Sequence, residues 1–428
     1  MNMKQFERLE LKPFLIEALK RQRFERPTEI QERLIPGIKN GQSAIGQSQT
    51  GSGKTLAYLL PVLNRINPGQ STLQAIITAP TRELADQIHQ EVEKLLTEQP
   101  EEGAITSKTA VGGTDRKRMI SKMRNTPHLL VGTPGRIKDL VEEQAIDVHT
   151  AHMLVVDEAD QMWDMGFIED VDYVAARMQE ELQMLVFSAT IPESLQPFLK
   201  KYMSNPKFVQ VNPEEGTAEK VENVLIPLRH RNKKEMLGNI VGSINPFLAL
   251  IFANTKQTAD EVADYLIEQG IDVDRLHGDV PPRQRKQIMK KIRSAESQFV
   301  VATDLASRGI DIKGVTHIIN YEMPADLDFY VHRVGRTARA GAEGVAYTLV
   351  EAEDQNAVQK LSKRGIEFAY KDVKDGEFVE AKPLVTRRKK PDLTKGIHVP
   401  KPKKVKPGYK KKMRREKEDI LNKRRRKK

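Results

Sequence analysis

Short apolar runs recur along the chain, and each is followed directly by a polar cluster. They are residues 75–78, 129–131, 153–156 and 184–187 in the first half, and 248–252, 299–302 and 317–320 in the second. Such runs are typical of parallel strands that are covered on both faces. Segments with helical spacing lie between them, for example residues 258–269. The alternation predicts an α/β fold with two similar parallel-sheet domains.

The domain divisions follow from where this pattern stops and restarts. Apolar residues at helical spacing in residues 1–40, with Thr28 as a helix cap, predict a helical lead-in. We expect a first domain over 41–211, a linker over 212–222 where the apolar pattern is missing, and a second domain over 223–376. Residues 377–428 are rich in Lys, Arg and Pro and are predicted to form a disordered basic tail.

Charge separates the body of the chain from its tail. Residues 387–428 contain 21 Lys and Arg against 4 Asp and Glu, a net charge of +17, whereas the rest of the chain has a net charge of −6. A basic tail on an acidic body favours a polyanionic partner, and the alternative is a tail that only aids solubility. The chain has no cysteine, which excludes disulfides and thiolate metal sites. With no secretory signal and no apolar run of membrane-spanning length, we expect a soluble, cytoplasmic protein without membrane contact.

A Gly/Ser-rich stretch after the short apolar segment Ala44-Ile45 has the character of a phosphate-binding loop. Its glycines allow close approach of the backbone to a polyphosphate, and a helix follows. Lys54 would contact the outer phosphates, and the Thr55 hydroxyl would be a ligand for Mg²⁺. The common pattern has Gly where this chain has Ser48, and the alternative is a simple turn. The predicted loop residues are Ser48, Gln49, Thr50, Gly51, Ser52, Gly53, Lys54 and Thr55.

An acidic cluster, Asp157-Glu158-Ala159-Asp160, follows the run 153–156. A carboxylate at a strand end beside a phosphate loop can hold Mg²⁺, so Asp157 is predicted to bind it together with Thr55, partly through water. Glu158 would orient and deprotonate an attacking water. The alternative is an exposed acidic turn.

These four residues resemble the signature of the DEAD-box RNA helicases, and further motifs of that family occur in order over residues 6–340. The resemblance implies tandem RecA-like domains, ATP with Mg²⁺ as cofactor, and RNA as partner. By the same resemblance, Gln31 would read adenine, Phe6 would stack on it, and Asp311 would bind the ribose. Phe6 could instead pin the first helix to the core.

Two arginines of the second half, Arg336 and Arg339, resemble the family's arginine fingers. Their spacing would place both guanidinium groups on one face of a helix. A third group of residues is implied to couple hydrolysis to unwinding: Asp160, Ser188, Thr190 and His332.

The resemblance also implies an RNA-binding set that favours backbone contacts, so we expect little sequence preference. Glycines allow main-chain amides to approach phosphates, and the other members supply donors. The set is Pro80, Thr81, Arg82, Gly112, Gly113, Thr133, Gly135, Arg136, Thr255, Gly278, Arg285, Thr303 and Arg308.

The function that these motifs predict is an ATP-dependent RNA helicase that opens short duplexes or remodels RNA–protein complexes when RNA and ATP close the two domains. An ATP-gated RNA clamp and a tail-driven RNA annealer are the alternatives. The compact chain and basic tail resemble bacterial cold-shock members of the family. That likeness implies ribosome assembly, mRNA handling or cold adaptation, ribosomal or RNA-degradation partners, and a tail that adds RNA affinity.

Overall fold

The computed structural model describes residues 4–48, 51–113, 115–211, 221–304, 312, 314–338, 343–383 and 413. The chain opens with three helices, α1 (Lys4–Glu7), α2 (Pro13–Arg21) and α3 (Glu29–Lys39). Thr28 precedes α3 as its N-cap, and its backbone N–H donates to Gln31 Oε1 at 3.0 Å. This is the predicted cap, because a side chain three residues into the helix satisfies an otherwise unpaired N–H group.

The described residues of the first half form a parallel sheet with strand order β3-β4-β2-β5-β6-β1-β7. Its strands are β1 (Ala44–Ser48), β2 (Ala75–Thr78), β3 (Ser107–Ala110), β4 (Leu129–Gly132), β5 (Met153–Asp157), β6 (Gln183–Ser188) and β7 (Lys207–Val211). The helices between them are α4 (Lys54–Arg65), α5 (Arg82–Leu96), α6 (Arg116–Met123), α7 (Pro134–Glu142), α8 (Ala159–Asp164), α9 (Ile168–Ala175) and α10 (Gln196–Tyr202).

Side chains of the central strands alternate between two hydrophobic cores. On β5, Met153 and Val155 pack into the core that contains α2 to α5, whereas Leu154 and Val156 pack into the core of α6 to α10. Successive strand residues point to opposite faces, so a strand covered on both sides must be apolar throughout. This is why the central strands are visible as unbroken apolar runs.

The second half forms another sheet from its described residues, with strand order β10-β11-β9-β12-β13-β8-β14-β15. Its pairings are parallel except that of β14 with β15. The strands are β8 (Val221–Pro227), β9 (Ala249–Ala253), β10 (Val273–Leu276), β11 (Phe299–Thr303), β12 (His317–Asn320), β13 (Gly344–Val350), β14 (Ala369–Lys374) and β15 (Glu377–Glu380). The helices are α11 (Lys233–Gly242), α12 (Lys256–Glu268), α13 (Pro282–Arg293), α14 (Leu327–Val334) and α15 (Gln355–Lys363).

These two sheets confirm the predicted fold class of two parallel-sheet α/β units. Two predicted boundaries were wrong. Residues 377–380, assigned to the tail, form β15 and pair with β14, because a turn at residues 375–376 folds the chain back. Residues 221 and 222, assigned to the linker, belong to β8, which pairs with β13. Within the part of the chain that the structure describes, no helix has the length and apolar character needed to cross a bilayer.

Candidate functional site

The carboxyl edge of the first sheet gathers the residues predicted to handle a nucleotide. The phosphate-loop candidates follow β1 and the acidic cluster follows β5, and β6 lies between these two strands. Parallel strands end at the same edge, where ligands bind in open α/β sheets. The topology therefore brings together two motifs that are about a hundred residues apart.

Two glycines shape the loop before α4. Gly51 and Gly53 have φ values of 90° and 91°, which favour glycine. A Cβ on Gly53 would also lie 2.6 Å from both Thr28 Oγ1 and Gln31 Nε2. Gln31 donates from Nε2 to the Gly53 carbonyl at 3.0 Å and so ties α3 to the loop. The two loop residues between β1 and Gly51, Gln49 and Thr50, lie outside the described residues.

Lys54 is a buried cation at the start of α4, with 6 % of its surface exposed. Its Nζ donates to the Ser48 carbonyl at 2.8 Å and lies 3.6 Å from Glu158 Oε1. The Ser48 and Ser52 hydroxyls are 2.6 Å apart and close the loop from the other side. A buried ammonium group needs such partners, and a polyphosphate offers stronger ones. The arrangement is suited to binding the outer phosphates of a nucleotide.

Asp157 ends β5 with both carboxylate oxygens engaged. Oδ2 accepts from the Tyr58 hydroxyl at 2.8 Å and Oδ1 from the Glu158 backbone N–H at 3.0 Å. Burial, followed by the charge of Glu158, raises the pKa of Asp157 to about 7, although Lys54 and the two hydrogen bonds act in the opposite direction. Sequence reasoning missed Tyr58, whose signal is its position one helical turn after Lys54 on α4.

The donor set at this point fits a magnesium ion. Burial and the nearby Asp157 raise the pKa of Tyr58, whereas a hydrogen bond with Thr55 lowers it, so the Thr55 hydroxyl and the Asp157 carboxylate lie beside the same phenol. Among the described residues, no cluster of three or more His, Cys, Asp or Glu could hold a metal. One carboxylate and one hydroxyl suit Mg²⁺, which takes its other oxygen ligands from water and phosphates.

The acidic cluster is connected to the end of β6. The Asp160 backbone N–H donates to Ser188 Oγ at 3.0 Å, and Asp160 Oδ2 accepts from both the backbone N–H and the hydroxyl of Thr190, each at 3.0 Å. Asp160 is buried, so these bonds satisfy a carboxylate that water does not reach freely. The structure thus joins three of the four predicted coupling residues directly.

Phe6 lies in the interior of the first unit. Its side chain has no exposed surface and belongs to the hydrophobic core that contains α2 to α5. A stacking contact needs an accessible ring face, so the packing interpretation describes this structure. Stacking of Phe6 on adenine stays a prediction.

The helix on which Arg336 and Arg339 would share one face does not include Arg336. Helix α14 ends at Val334, and Arg336 lies in the turn that follows, where its N–H bonds the Arg333 carbonyl three residues back at 3.1 Å. The Thr337 hydroxyl donates to the Val315 carbonyl at 2.7 Å and holds this turn against the sheet. Arg336 is 5 % exposed. Its predicted companions Arg339, Asp311 and Arg308 lie outside the described residues.

Arg333, which sequence reasoning did not single out, is the largest fully buried side chain among the described residues. It donates to both Asp304 carboxylate oxygens at 2.6 Å, to Asn254 Oδ1 at 2.7 Å and to Asn320 Oδ1 at 3.2 Å. These partners stand at or just beyond the ends of β9, β11 and β12, so Arg333 fastens α14 to the carboxyl edge of the second sheet. The adjacent His332 is half-buried on α14. The signal for Arg333 was its place beside His332 in the same motif.

The RNA candidates of the first unit follow β2, β3 and β4, which are neighbours in the sheet. Thr81 follows Pro80 and caps α5, accepting from the Leu84 N–H at 3.2 Å. The Arg82 guanidinium packs against Gly112, where a Cβ would lie 2.9 Å from it. The remaining candidates occupy turns and helix starts along the same edge: Gly113 with φ 87° after β3, and Thr133, Gly135 and Arg136 at the start of α7.

The RNA candidates of the second unit form a matching group. Thr255 caps α12 after β9, Gly278 follows β10, and Thr303 ends β11, and these strands are again neighbours. Arg285 on α13 forms an ion pair with Glu83 on α5, in which both side chains are about 15 % exposed. Sequence reasoning did not single out Glu83, because the pairing of α5 with α13 is visible only in three dimensions.

Beyond this ion pair, further acidic residues lie on α5 and further basic residues lie on α13. Asp86, one turn further along α5, has its pKa raised by desolvation and by the charge of Glu83. The positive charges of Lys286 and Arg293 on α13 act in the opposite direction. Helix α5 is therefore acidic where it faces a basic side of α13.

Two protein-family models match the chain. The DEAD/DEAH box helicase model covers residues 28–198, and the model of the helicase conserved C-terminal domain covers residues 232–341. The first contains the phosphate loop and the acidic cluster, and the second contains α13 and α14.

Similar proteins agree with these matches over nearly the whole chain. The DEAD-box ATP-dependent RNA helicase CshB of Bacillus subtilis is 56 % identical over 98 % of this chain and 97 % of its own length. The CshB protein of Listeria monocytogenes is 48 % identical over 99 % and 98 %. Among solved structures, Saccharomyces cerevisiae Dbp5 bound to RNA and ADP BeF3 is 30 % identical, with a TM-score of 0.77 over 87 % of this chain and 96 % of that one.

Proposed function

The chain belongs to the DEAD-box family of ATP-dependent RNA helicases, and we propose that it uses RNA-dependent ATP hydrolysis to open short RNA duplexes or remodel RNA–protein complexes. The observation that carries the proposal is the buried cluster of Lys54, Asp157 and Glu158, which is joined through Asp160 to the end of β6. The cluster thus combines a phosphate-binding cation, a metal-binding carboxylate and a candidate base. The hydrogen bonds of Asp160 connect it to residues at the end of β6.

ATP binds at the carboxyl edge of the first sheet in this proposal. Lys54 holds the outer phosphates, the backbone of the loop from Ser48 to Thr55 encloses them, and Gln31 reads the adenine edge, with Phe6 against the base and Asp311 on the ribose. The chemistry that Mg²⁺ supplies when bound is neutralisation of the β- and γ-phosphate oxygens, and Thr55 and Asp157 would hold it, partly through water.

Hydrolysis proceeds by attack of a water oxygen on the γ-phosphorus. The bond from that phosphorus to the β,γ-bridging oxygen breaks, ADP and phosphate form, and Glu158 accepts the proton of the water. Arg336 and Arg339 approach from the second unit and stabilise the charge on the transferred group. Since these arginines belong to a different sheet from Lys54, the catalytic set is complete only when the two units are closed on each other.

RNA lies across both units and favours that closure. Its backbone contacts the carboxyl edge of each sheet through the predicted set, so the protein reads shape more than base sequence. The ion pair between Arg285 and Glu83 supports this arrangement, because it stands between the two RNA-binding edges. The hydrogen bonds of Asp160 with Ser188 and with Thr190, together with His332, transmit the state of the nucleotide to the RNA-binding surface. The similarity to Dbp5 bound to RNA and ADP BeF3 supports RNA and a nucleotide as the ligands of this chain.

The proposal is tested by steady-state ATPase assays at matched salt with no nucleic acid, with single-stranded RNA and with single-stranded DNA. We expect strong stimulation by RNA alone. Equal stimulation by DNA, or none by either polymer, would mean that the family resemblance accounts for the fold but not for the activity.

The strongly basic residues 387–428 are proposed to add RNA affinity by releasing counterions from the phosphate backbone. They lie outside the described residues, apart from Met413. Deleting them should weaken RNA binding and flatten its salt dependence, while the ATPase at saturating RNA is kept. An unchanged slope of log affinity against log salt would contradict this role.

We further propose that the protein acts in the cytoplasm, in ribosome assembly, mRNA handling or cold adaptation. Its partners would be ribosomal or RNA-degradation proteins. This proposal rests on similarity to the CshB proteins. Domain limits of about 41–211 and 221–380 belong to it as well. They differ from the sequence-based limits only where β8 and β15 extend the second unit.

A further inference from the structure

Glu158 is held in an unusual place between β5 and α8. Its backbone is left-handed, with φ 53° and ψ 53°, which turns the chain sharply between the strand and the helix. Each of its carboxylate oxygens faces a different partner. Oε1 lies 3.6 Å from Lys54 Nζ, and Oε2 accepts a hydrogen bond of 3.2 Å from Gln161 Nε2.

Gln161 stands three residues after Glu158, in the first turn of α8, and is 3 % exposed. Its donor is used on Glu158, but its carbonyl oxygen Oε1 is buried and has no hydrogen-bond partner in the described part of the chain. Rotating the amide by 180° would still leave one of its two polar atoms buried without a hydrogen-bond partner. It would point the carbonyl oxygen at the Glu158 carboxylate, so the charge on Glu158 decides the orientation.

A buried acceptor next to a carboxylate is suited to a molecule that donates two hydrogen bonds. Buried polar groups in proteins are satisfied by protein or by ordered water. A water molecule admitted between Glu158 and Gln161 when ATP binds would donate one O–H to the carboxylate and the other to Gln161 Oε1. Its oxygen lone pairs then remain free for attack.

We propose that Gln161 is a further catalytic residue for ATP hydrolysis, whose amide N–H orients the Glu158 carboxylate and whose carbonyl oxygen accepts a hydrogen bond from the attacking water. This inference rests on the proposed function, because it assigns Glu158 as the base. As the water oxygen bonds to the γ-phosphorus, one proton passes to Glu158 and the other stays on the phosphate product, still donated to Gln161. Fixing both O–H bonds of the water orients its oxygen toward the γ-phosphorus, and this requires no additional charged residue.

The test compares Gln161→Met with the wild-type protein under saturating RNA. Methionine has a similar shape but neither the donor nor the acceptor. We expect kcat to fall about ten- to hundredfold, as for loss of hydrogen bonds to a charged group and a reacting water. The KM for ATP and the affinity for a non-hydrolysable ATP analogue should change by less than about twofold, since the hydrogen bonds of Gln161 go to Asp160 and Glu158 and not to Lys54 or the described loop residues.

Gln74→Met is the matched control. Gln74 is equally buried in the same unit, but its amide serves only the segment of residues 67–70, donating to the Asn67 and Gln70 carbonyls and accepting from the Asn67 N–H. Its loss should lower the melting temperature and leave kcat per folded molecule unchanged. A Gln161→Met variant that behaves in the same way would overturn the proposal.

Gln161→Glu provides a second variant with nearly the same shape. It keeps an oxygen for the water but replaces the donor with a carboxylate facing Glu158, so we expect kcat to fall at least as far as in Gln161→Met. Wild-type kcat in this variant would contradict the role of the donor.

The Glu158→Gln variant separates the assignment of Glu158 as the base from the role proposed for Gln161. If Glu158→Gln keeps the wild-type rate, the assignment of the base fails. If it loses activity while both Gln161 variants keep theirs, only the role of Gln161 fails.

Discussion

The carboxyl edges of the two sheets are built on the same strand pattern but carry opposite chemistry. At the first, the buried charges are mostly carboxylates, Asp157, Glu158 and Asp160, gathered around the one ammonium group of Lys54. At the second, the buried charges are the guanidinium groups of Arg333 and Arg336. The first edge can hold a metal and a polyphosphate, and the second can supply positive charge to them.

The two edges also differ in how their charges are satisfied. Arg333 has partners on every side, so it is a structural cation that positions the turn carrying Arg336. The first edge instead contains an acid with a raised pKa and an unpartnered amide oxygen. Strain and unsatisfied groups are expected where a ligand completes the structure. The first edge is therefore suited to a ligand around Asp157 and Gln161, and Arg333 gives the second edge a fixed shape. The second edge also has a buried atom without a hydrogen-bond partner among the described residues, His277 Nδ1 after β10.

The largest expected effect tests the chemical role of the first edge. Glu158→Gln removes the base but keeps a group that can accept from Gln161, so kcat should fall by about 10²–10⁴ while the affinity for ATP is nearly kept. Steady-state ATPase and equilibrium nucleotide binding measure the two quantities. Glu169→Gln, an exposed substitution on α9, is the control and should leave both unchanged. A loss in that control would point to a general effect of acidic charge.

The second prediction tests the structural role of the other edge. Arg333→Met leaves the partly exposed Asp304 and the buried Asn320 without the arginine that donates to them. Removing the buried cation of such a pair lowers the free energy of unfolding by about 3–5 kcal/mol. Arg364→Met also removes an arginine from an ion pair, with Asp328, but both of those side chains are half exposed, so we expect a change of about 0–1 kcal/mol. Denaturant unfolding compares them. Equal losses would contradict the distinction between the two arginines.

The smallest expected effect concerns pH and Asp157. Its pKa is raised to about 7 in the folded protein, so between about pH 4 and pH 7 the folded state binds a proton that the unfolded state has released. The wild-type protein therefore loses stability as pH rises through this window. Asp157→Asn does not ionise. In EDTA and without nucleotide, its melting temperature relative to wild type should be higher at about pH 8 than at about pH 5, by about 2–4 °C for each kcal/mol.

A difference between the two melting temperatures that does not vary with pH would contradict this account of Asp157. Added Mg²⁺ and ATP give a further contrast, because a cation beside Asp157 favours its ionised form. They should stabilise the wild-type protein more than the Asp157→Asn variant at about pH 8.

The sequence predicted the central strands better than the outer ones. Strands β2 and β12 have the predicted limits, because both lie inside their sheets and have two consecutive buried isoleucines at their centre. The strands that were not recognised are β3, β7, β8, β10, β13, β14 and β15. Of these, β3, β7, β10 and β15 lie at an edge of their sheet, whereas β8, β13 and β14 lie inside the second sheet. An edge strand reaches solvent along one side, so β3 with the sequence Ser-Lys-Thr-Ala and β10 with Val-Asp-Arg-Leu lack an apolar run.

The candidate site shows a similar division. Lys54, Asp157 and Asp160 were visible because strand ends and a glycine-rich loop have local signatures. Tyr58 and Arg333 had only indirect signals, their positions beside Lys54 and His332, and Gln161 had none. Their roles depend on contacts or on burial that the local pattern does not encode. The end of α14 before Arg336 does have a local signal, because Gly335 follows its last residue directly.

The central claim is that the catalytic set is divided between two edges and is completed when ATP and RNA bind together. Because the chain has no cysteine, Glu180→Cys and Glu268→Cys, both exposed, can carry a dye pair that reports the distance between the two units by fluorescence energy transfer. We expect a closed population to dominate only when a non-hydrolysable ATP analogue and single-stranded RNA are both present, and Arg285→Met to reduce it. The same distance in all conditions, or closure with the nucleotide alone, would contradict the account.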